Sequence, residues 1–161
     1  MRVLMSRFDN SLANPRAVAC DPARRMPCAG ASAPQSVRAG LDLLSELPAL
    51  HRRIAFLGSM LELGDQEDVL HSEVLQEALR KPLDVIVATG LFARVAPALA
   101  GGTEGRLLVV EDPMDAFANL RPHLRGDEIL LLKGSRGVAL ERLIPLLEEA
   151  FGESEADGGG N

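Results

Sequence analysis

"RRIAFLGSMLELGDQEDVLHSEVLQEALR", Arg52 to Arg80, decides the fold. Residues 52–57 read as a short buried strand, an apolar run behind two arginines that is too brief for a helix. Gly58 then opens the loop "GSMLELGDQ", which leads into a helix from about Glu67 to Arg80. This is one β–loop–α unit.

The unit repeats three more times. "LDVIVAT" (83–89) is a second strand, with Gly90 at the turn and "LFARVAPALA" as a short helix that Pro97 kinks. "RLLVVE" (106–111) is the third, followed by Asp112 as N-cap, Pro113 at the first helical position and "MDAFANLRPHL" as helix. "EILLLK" (128–133) is the fourth, followed by "GSRG" and a helix expected from about Val138 to Ala150. Upstream, Pro34 opens "PQSVRAGLDLLSEL", which sets Val37, Leu41, Leu44 and Leu47 on one helical face before Pro48 interrupts it. Short apolar strands alternating with helices imply βαβ units with right-handed crossovers. The expected fold is therefore α/β, a Rossmann-like three-layer sandwich with a mainly parallel sheet.

Composition narrows the function. The 161 residues fit one domain of ordinary size, and 47% hydrophobic content fills one core. Net charge is −6 with Lys and Arg spread along the chain, so nothing suggests a nucleic-acid track. Aromatic residues are 3%, all Phe, which removes the stacking platforms of single-strand binders. Cys20 and Cys28 match neither a zinc-ligand pair nor a redox motif, and His51, His71 and His123 stand apart from any second ligand at metal spacing. No apolar run approaches the roughly twenty residues that span a bilayer. The reading is a soluble, cytosolic protein without membrane or nucleic-acid partners.

In a parallel sheet of this kind ligands gather beyond the C-terminal strand ends, where "LGSMLELG", "ATG", "VEDPMD" and "LKGSRG" all emerge. In "KGSRG", Gly134 and Gly137 permit close backbone approach, Ser135 offers a hydroxyl, and Lys133 and Arg136 add cations suited to phosphate or carboxylate. A turn that opens a helix adds free N–H groups and the positive end of the helix dipole. The competing reading leaves Lys133 in solvent and pairs Arg136 with a surface carboxylate such as Glu141. Glu62 and His71 flank the other loop and supply a carboxylate and an imidazole, either for chemistry or simply for bracing the loop. Arg52 and Arg53 read as solvated. The chain has no P-loop, no Gly-x-Gly-x-x-Gly after its first regular strand and no nucleophile elbow.

Together, "APQSVRAGLDLL", "RIAFLGSMLELGDQEDVLH", "DVIVATG" and "EILLLKGSRGVALERLI" resemble the C-terminal domain of the Mur ligases. Within that family they are most similar to the branch that joins D-alanyl-D-alanine to UDP-N-acetylmuramoyl-tripeptide. The resemblance covers roughly Pro34 to Phe151. It implies an ATP- and Mg²⁺-dependent peptide ligase in which a central ATPase domain forms the acyl phosphate that the dipeptide amine attacks. The present chain would be a fragment that is not catalytic alone, or else a stand-alone nucleotide- or dipeptide-binding module. By position the resemblance assigns Lys133, Gly134, Ser135 and Arg136, with Gly58, Met60, Glu62 and His71, to the interdomain face that meets substrate and nucleotide. It implies no catalytic residue and no metal ligand in this chain.

Two departures stand out. Ser59 occupies a position where the family usually has Asp. Before Pro34 this chain reads "CAGASA", where the family usually reads Asp-x-Tyr-Asn-Ala-Asn and contributes to the nucleotide site. Residues 1–33 are therefore expected to be an irregular leader that does not match the family, either replaced or out of frame. Residues 34–151 form the domain, and 152–161 are expected to be a disordered tail.

Overall fold

The chain is described by a computed structural model over residues 2–5, 33–48, 50–103 and 105–151. Five parallel strands form one sheet: β1 (Arg2–Met5), β2 (Arg53–Leu57), β3 (Val85–Ala88), β4 (Leu107–Val109) and β5 (Ile129–Lys133), in the spatial order β1-β5-β2-β3-β4. The register is continuous across the middle, with Leu57 opposite both Ala88 and Lys133. Five helices complete the layers: α1 (Ala33–Glu46), α2 (Glu67–Arg80), α3 (Leu91–Val95), α4 (Pro113–Leu120) and α5 (Leu143–Phe151).

Alternation along the strands builds two cores. Ala55 and Leu57 of β2, Ile86 and Ala88 of β3, and Ile129 and Leu131 of β5 face α1, α2 and α3. Ile54 and Phe56, Val87, and Leu130 and Leu132 face α4 and α5. The strand order explains the division: β2, β3 and β4 are laid down in one direction, and the chain then crosses back to insert β5. With crossovers of one hand, a reversal of direction moves the connecting helix to the other face. Val37, Leu41 and Leu44 of α1 are buried as their spacing predicts, while Leu47 packs half-buried at the margin. Each fully buried Leu, Ile or Phe contributes about 1.5–3 kcal/mol relative to exposure, so these two layers dominate any single polar contact.

Two boundaries follow the sequence closely. The helix α2 runs from Glu67 to Arg80. Asp112 caps α4 by accepting N–H bonds from Met114 at 2.7 Å and Asp115 at 3.2 Å, with Pro113 inside the first turn. Beyond α3, Pro97 lies in a 3-10 turn that ends the helical run.

Three expectations are corrected. Among the described residues the sheet has five strands, not four, because Arg2–Met5 is not irregular: it pairs in parallel with β5, Arg2 opposite Ile129 and Met5 opposite Leu132. A four-residue segment followed by no helical period carries too little pattern to be read as a strand, and only the β5 edge gives it a partner. The rest of the expected leader, including Cys20 and Cys28, and the expected tail at 152–161 lie outside the described residues. Second, α5 begins at Leu143, five residues later than expected. The intervening chain makes 3-10 turns at Arg136–Val138 and Leu140–Arg142, joined through Ala139 at φ 54°. Third, Arg53 is buried rather than solvated. Its guanidinium donates to the Leu47 carbonyl beyond α1 and, at 3.3 Å, to the Pro82 carbonyl, although its Nε finds no partner among the described residues.

Arg53 belongs to a pattern at the N-terminal edge of the sheet. Arg106 donates to the carbonyls of Leu79 at 3.0 Å and Leu83 at 3.3 Å, and Arg52 donates to that of His123 at 3.0 Å. Helices run opposite to the strands, so their unsatisfied carbonyls collect where the strands start. An arginine at a strand entrance meets them.

Candidate functional site

The loops after β2, β3 and β5 meet at the opposite edge, and the structure brings most of the predicted residues together there. Gly58 N–H donates to the Lys133 carbonyl at 2.8 Å, continuing the β2–β5 ladder past the strand ends. Ser135 N–H donates to the Ser59 carbonyl at 3.0 Å, and Leu61 N–H donates to Ser135 Oγ at 2.8 Å. The loops are stitched to each other.

Packing closes the same seam. A Cβ on Gly58 would lie 2.9 Å from Val138 Cγ1 and 3.0 Å from Leu140 Cδ1, and a Cβ on Gly134 would lie 3.1 Å from Leu140 Cδ1 and 3.2 Å from Gly58 Cα. Both glycines are thus required by close approach within the protein. Leu140, 4% exposed, seals the contact, and drawing it inward is what delays the start of α5. The "KGSRG" turn consequently does not open an α-helix, and no helix dipole is aimed at it.

Ser59 serves the third loop. Its Oγ accepts the Leu91 N–H at 2.9 Å, and Gly90, at φ 56°, leaves room for it, since a Cβ there would sit 2.2 Å from that oxygen. Thr89 reinforces the junction, donating from both N–H and Oγ1 to the Leu57 carbonyl at 2.9 and 3.0 Å. Where the family usually has Asp, the hydroxyl of Ser59 performs a capping task for the short helix α3.

Lys133 does not end in solvent. It is 2% exposed and reaches along the inner face of α1 to donate from Nζ to Ser36 Oγ at 2.6 Å. Met60 is 1% exposed and belongs to the core beneath α1 to α3. His71 is fully buried: its Nε2 accepts the Met60 N–H at 2.9 Å, Nδ1 lies 2.5 Å from the Glu67 carbonyl, and its ring meets Phe92 edge-on at 4.6 Å. Burial pushes its pKa below the ordinary 6.5, against smaller opposing effects from the Glu67 carbonyl and carboxylate.

The outward-facing residues are fewer. Glu62 is exposed in the left-handed region at φ 66°, with no hydrogen bond or ion pair to the described residues. Ser135 is half-buried, and its Oγ accepts the Leu61 N–H. The backbone of Arg136 enters the 3-10 turn, while its side chain lies outside the described part. Glu62 and His71 therefore do not form an acid–base pair. Sequence reasoning noted Ser59 only as a departure from the family pattern and missed Thr89; a hydroxyl immediately after a strand, facing the Gly of the next turn, was the available signal for the roles they play.

This edge does not by itself fit a nucleotide phosphate with its Mg²⁺. The amides of Gly58, Met60, Leu61, Leu91 and Ser135 already donate within the chain, and the exposed side chains around them, Glu62, Asp65, Glu111, Asp112 and Asp115, are acidic. Among the described residues no group of three His, Cys, Asp or Glu is placed to hold a metal, and no helix is long and apolar enough to cross a membrane. A cavity of about 500 Å³ lies elsewhere, lined by Ala118, Arg121, Pro122, Leu124, Ala150 and Phe151, and includes none of the candidate residues.

A parallel sheet in this order, covered on both faces and carrying stitched loops at its C-terminal edge, defines a doubly wound α/β domain of the nucleotide-fold type. The family model described as "Mur ligase, glutamate ligase domain" matches residues 17–136, and the chain belongs to the Mur ligase family. The match begins upstream of Pro34, within the stretch read as foreign to the family, and stops before α5. Among curated relatives, the UDP-N-acetylmuramoyl-tripeptide–D-alanyl-D-alanine ligase of Rickettsia prowazekii is 28% identical over 115 residues, covering 70% of this chain and 25% of that protein. The ligase of the same name from Synechocystis is 33% identical over 118 residues, again 70% of this chain and 25% of the relative. A crystal structure of MurF from Acinetobacter baumannii superposes with TM-score 0.64 at 29% identity, over 72% of this chain and 26% of that one. MurF from Thermotoga maritima, solved in complex with ADP, shares the fold at TM-score 0.55, covering 74% of this chain and 26% of that one at 22% identity. The chain spans about a quarter of the length of the curated relatives it matches.

Proposed function

We propose that this chain is the C-terminal domain of a ligase that joins D-alanyl-D-alanine to UDP-N-acetylmuramoyl-tripeptide in peptidoglycan precursor synthesis in the cytoplasm. The observation that carries the reading is the joint presence of "LGSMLELG" and "KGSRG" on two loops that the fold binds into one unit, together with relatives of that name matched over the same quarter of their length. Within this reading the domain comprises residues 34–151 with the edge strand β1.

Catalysis requires the other three quarters of such an enzyme. ATP and Mg²⁺ are held there, in a central ATPase domain, because the loops of this chain have spent their amides on one another. Glu62, Ser135 and Arg136 are the residues presented across the domain interface to nucleotide or dipeptide. Lys133, Gly134, Gly58, Met60 and His71 build the surface that presents them.

The test is a domain exchange. This chain replaces the last quarter of the Rickettsia relative, and ADP release is followed with UDP-N-acetylmuramoyl-tripeptide and D-alanyl-D-alanine. Release that depends on both substrates is expected from the fusion and none from the chain alone. A folded fusion that stays silent, while the relative's own quarter restores activity, overturns the reading.

A further inference from the structure

The fully buried His71 has both ring nitrogens committed to the backbone of this edge. A main-chain N–H only donates and a carbonyl only accepts. Met60 N–H at 2.9 Å from Nε2 therefore requires a lone pair on that nitrogen, and the Glu67 carbonyl at 2.5 Å from Nδ1 requires a proton there. The geometry selects one neutral tautomer.

We propose that His71 is a positioning residue for the loop after β2: as the Nδ1–H tautomer it fastens Met60 to α2, and protonation of the ring unfastens it. An imidazolium carries a hydrogen on both nitrogens, so Nε2 would face the Met60 N–H donor to donor, and that bond is lost. The charged groups facing the ring are Glu67 and Asp68 on α2 and Arg94 on α3. Arg94 is already ion-paired with both acids, at 2.7 Å from Glu67 and in close contact with Asp68, which leaves neither carboxylate dedicated to an imidazolium. From the loop itself Glu62 and Asp65 are ionisable, and both are exposed.

The consequence is local. Met60 is held by His71, Leu61 by Ser135, and Glu62 follows at φ 66°. Releasing Met60 removes the fastening on the α2 side and leaves the seam to β5 in place. Glu62 then loses the fixed backbone that keeps it in a left-handed conformation, which is costly for a residue with a Cβ. The inference concerns this chain alone and does not rest on the proposed ligase role.

The experiment is a pH titration of the ¹⁵N-labelled chain, following the His71 ring nitrogens and the amides of Met60, Leu91 and Ala55. Nδ1 is expected to carry the proton at neutral pH. The ring is expected to titrate below 6.5, and the Met60 amide shift should follow with the same midpoint. Corrected for intrinsic exchange, Met60 protection should fall at least tenfold across that midpoint, while Leu91 and Ala55 keep theirs. His71→Gln, which retains an acceptor near the position of Nε2, should preserve Met60 protection and abolish its pH dependence. The Nε2–H tautomer, a Met60 amide indifferent to ring ionisation, or loss of all three amides together would each overturn the proposal. The titration of the unmodified chain decides even if the variant does not fold.

Discussion

The two edges of the sheet solve the same problem with opposite chemistry. At the N-terminal edge helices end, carbonyls are left over, and Arg52, Arg53 and Arg106 donate to them. At the C-terminal edge helices begin, N–H groups are left over, and acceptors take them: Ser59 for Leu91, Ser135 for Leu61, His71 for Met60 and Asp112 for Met114. The difference follows from the polarity of the peptide in a βαβ unit. It teaches that a hydroxyl or imidazole at the binding edge of such a fold satisfies the backbone before it is free for a ligand.

The comparison is most exposed to a change at Arg53. Arg53→Ala should cost about 1–3 kcal/mol in urea unfolding, since it removes a buried guanidinium and leaves two part-buried carbonyls without their charged donor. A loss under about 0.5 kcal/mol would mean that water serves these carbonyls equally well and that the arginine edge is ornamental. At the other edge, Gly58→Ala should cost about 1–3 kcal/mol through overpacking against Val138 and Leu140. Adding Leu140→Ala should recover part of that loss, and purely additive costs would refute the contact as its cause.

Smaller effects sharpen the contrast. Ser59→Ala should cost about 1 kcal/mol, the usual value of a cap, and Ser59→Asp should restore it because a carboxylate also accepts from Leu91 N–H. His71 gives the C-terminal edge a pH dependence. Its folded pKa is depressed, so its contribution is fully present above about 6.5 and is lost as pH falls from there towards the lower folded value. Urea midpoints measured across that window should decline on the acid side, and His71→Gln should flatten the decline. Least affected is the exposed pairing of Arg94 with Glu67 and Asp68: Arg94→Ala should leave the midpoint unchanged in moderate salt.

Legibility in the sequence followed the range of the deciding interaction. The extent of α2 and the Asp112–Pro113 cap were readable because their causes lie within a few residues. The start of α5 was not, because Leu140 is pulled out of helical register by two glycines from separate loops. Nor was β1, whose partner among the described residues is the distant β5. The site divides in the same way. The motifs marked two loops that the structure joins, yet their most chemical residues, Lys133 and His71, proved to be inward-facing, because a sequence shows a side chain's chemistry but not its direction. Arg53 failed for the converse reason: a cation beside a strand looks solvated until the preceding helix is seen to end against it.

The seam between Gly58 and Gly134 has a mechanical meaning. Two backbones in contact, tied by three hydrogen bonds and sealed by Leu140, have no joint between them. A push on the tip of either loop is delivered to both, and to the centre of the sheet behind them, without being absorbed on the way. When this edge meets another body it meets it as a single stiff lip, and whatever bends to complete the fit is on the other side.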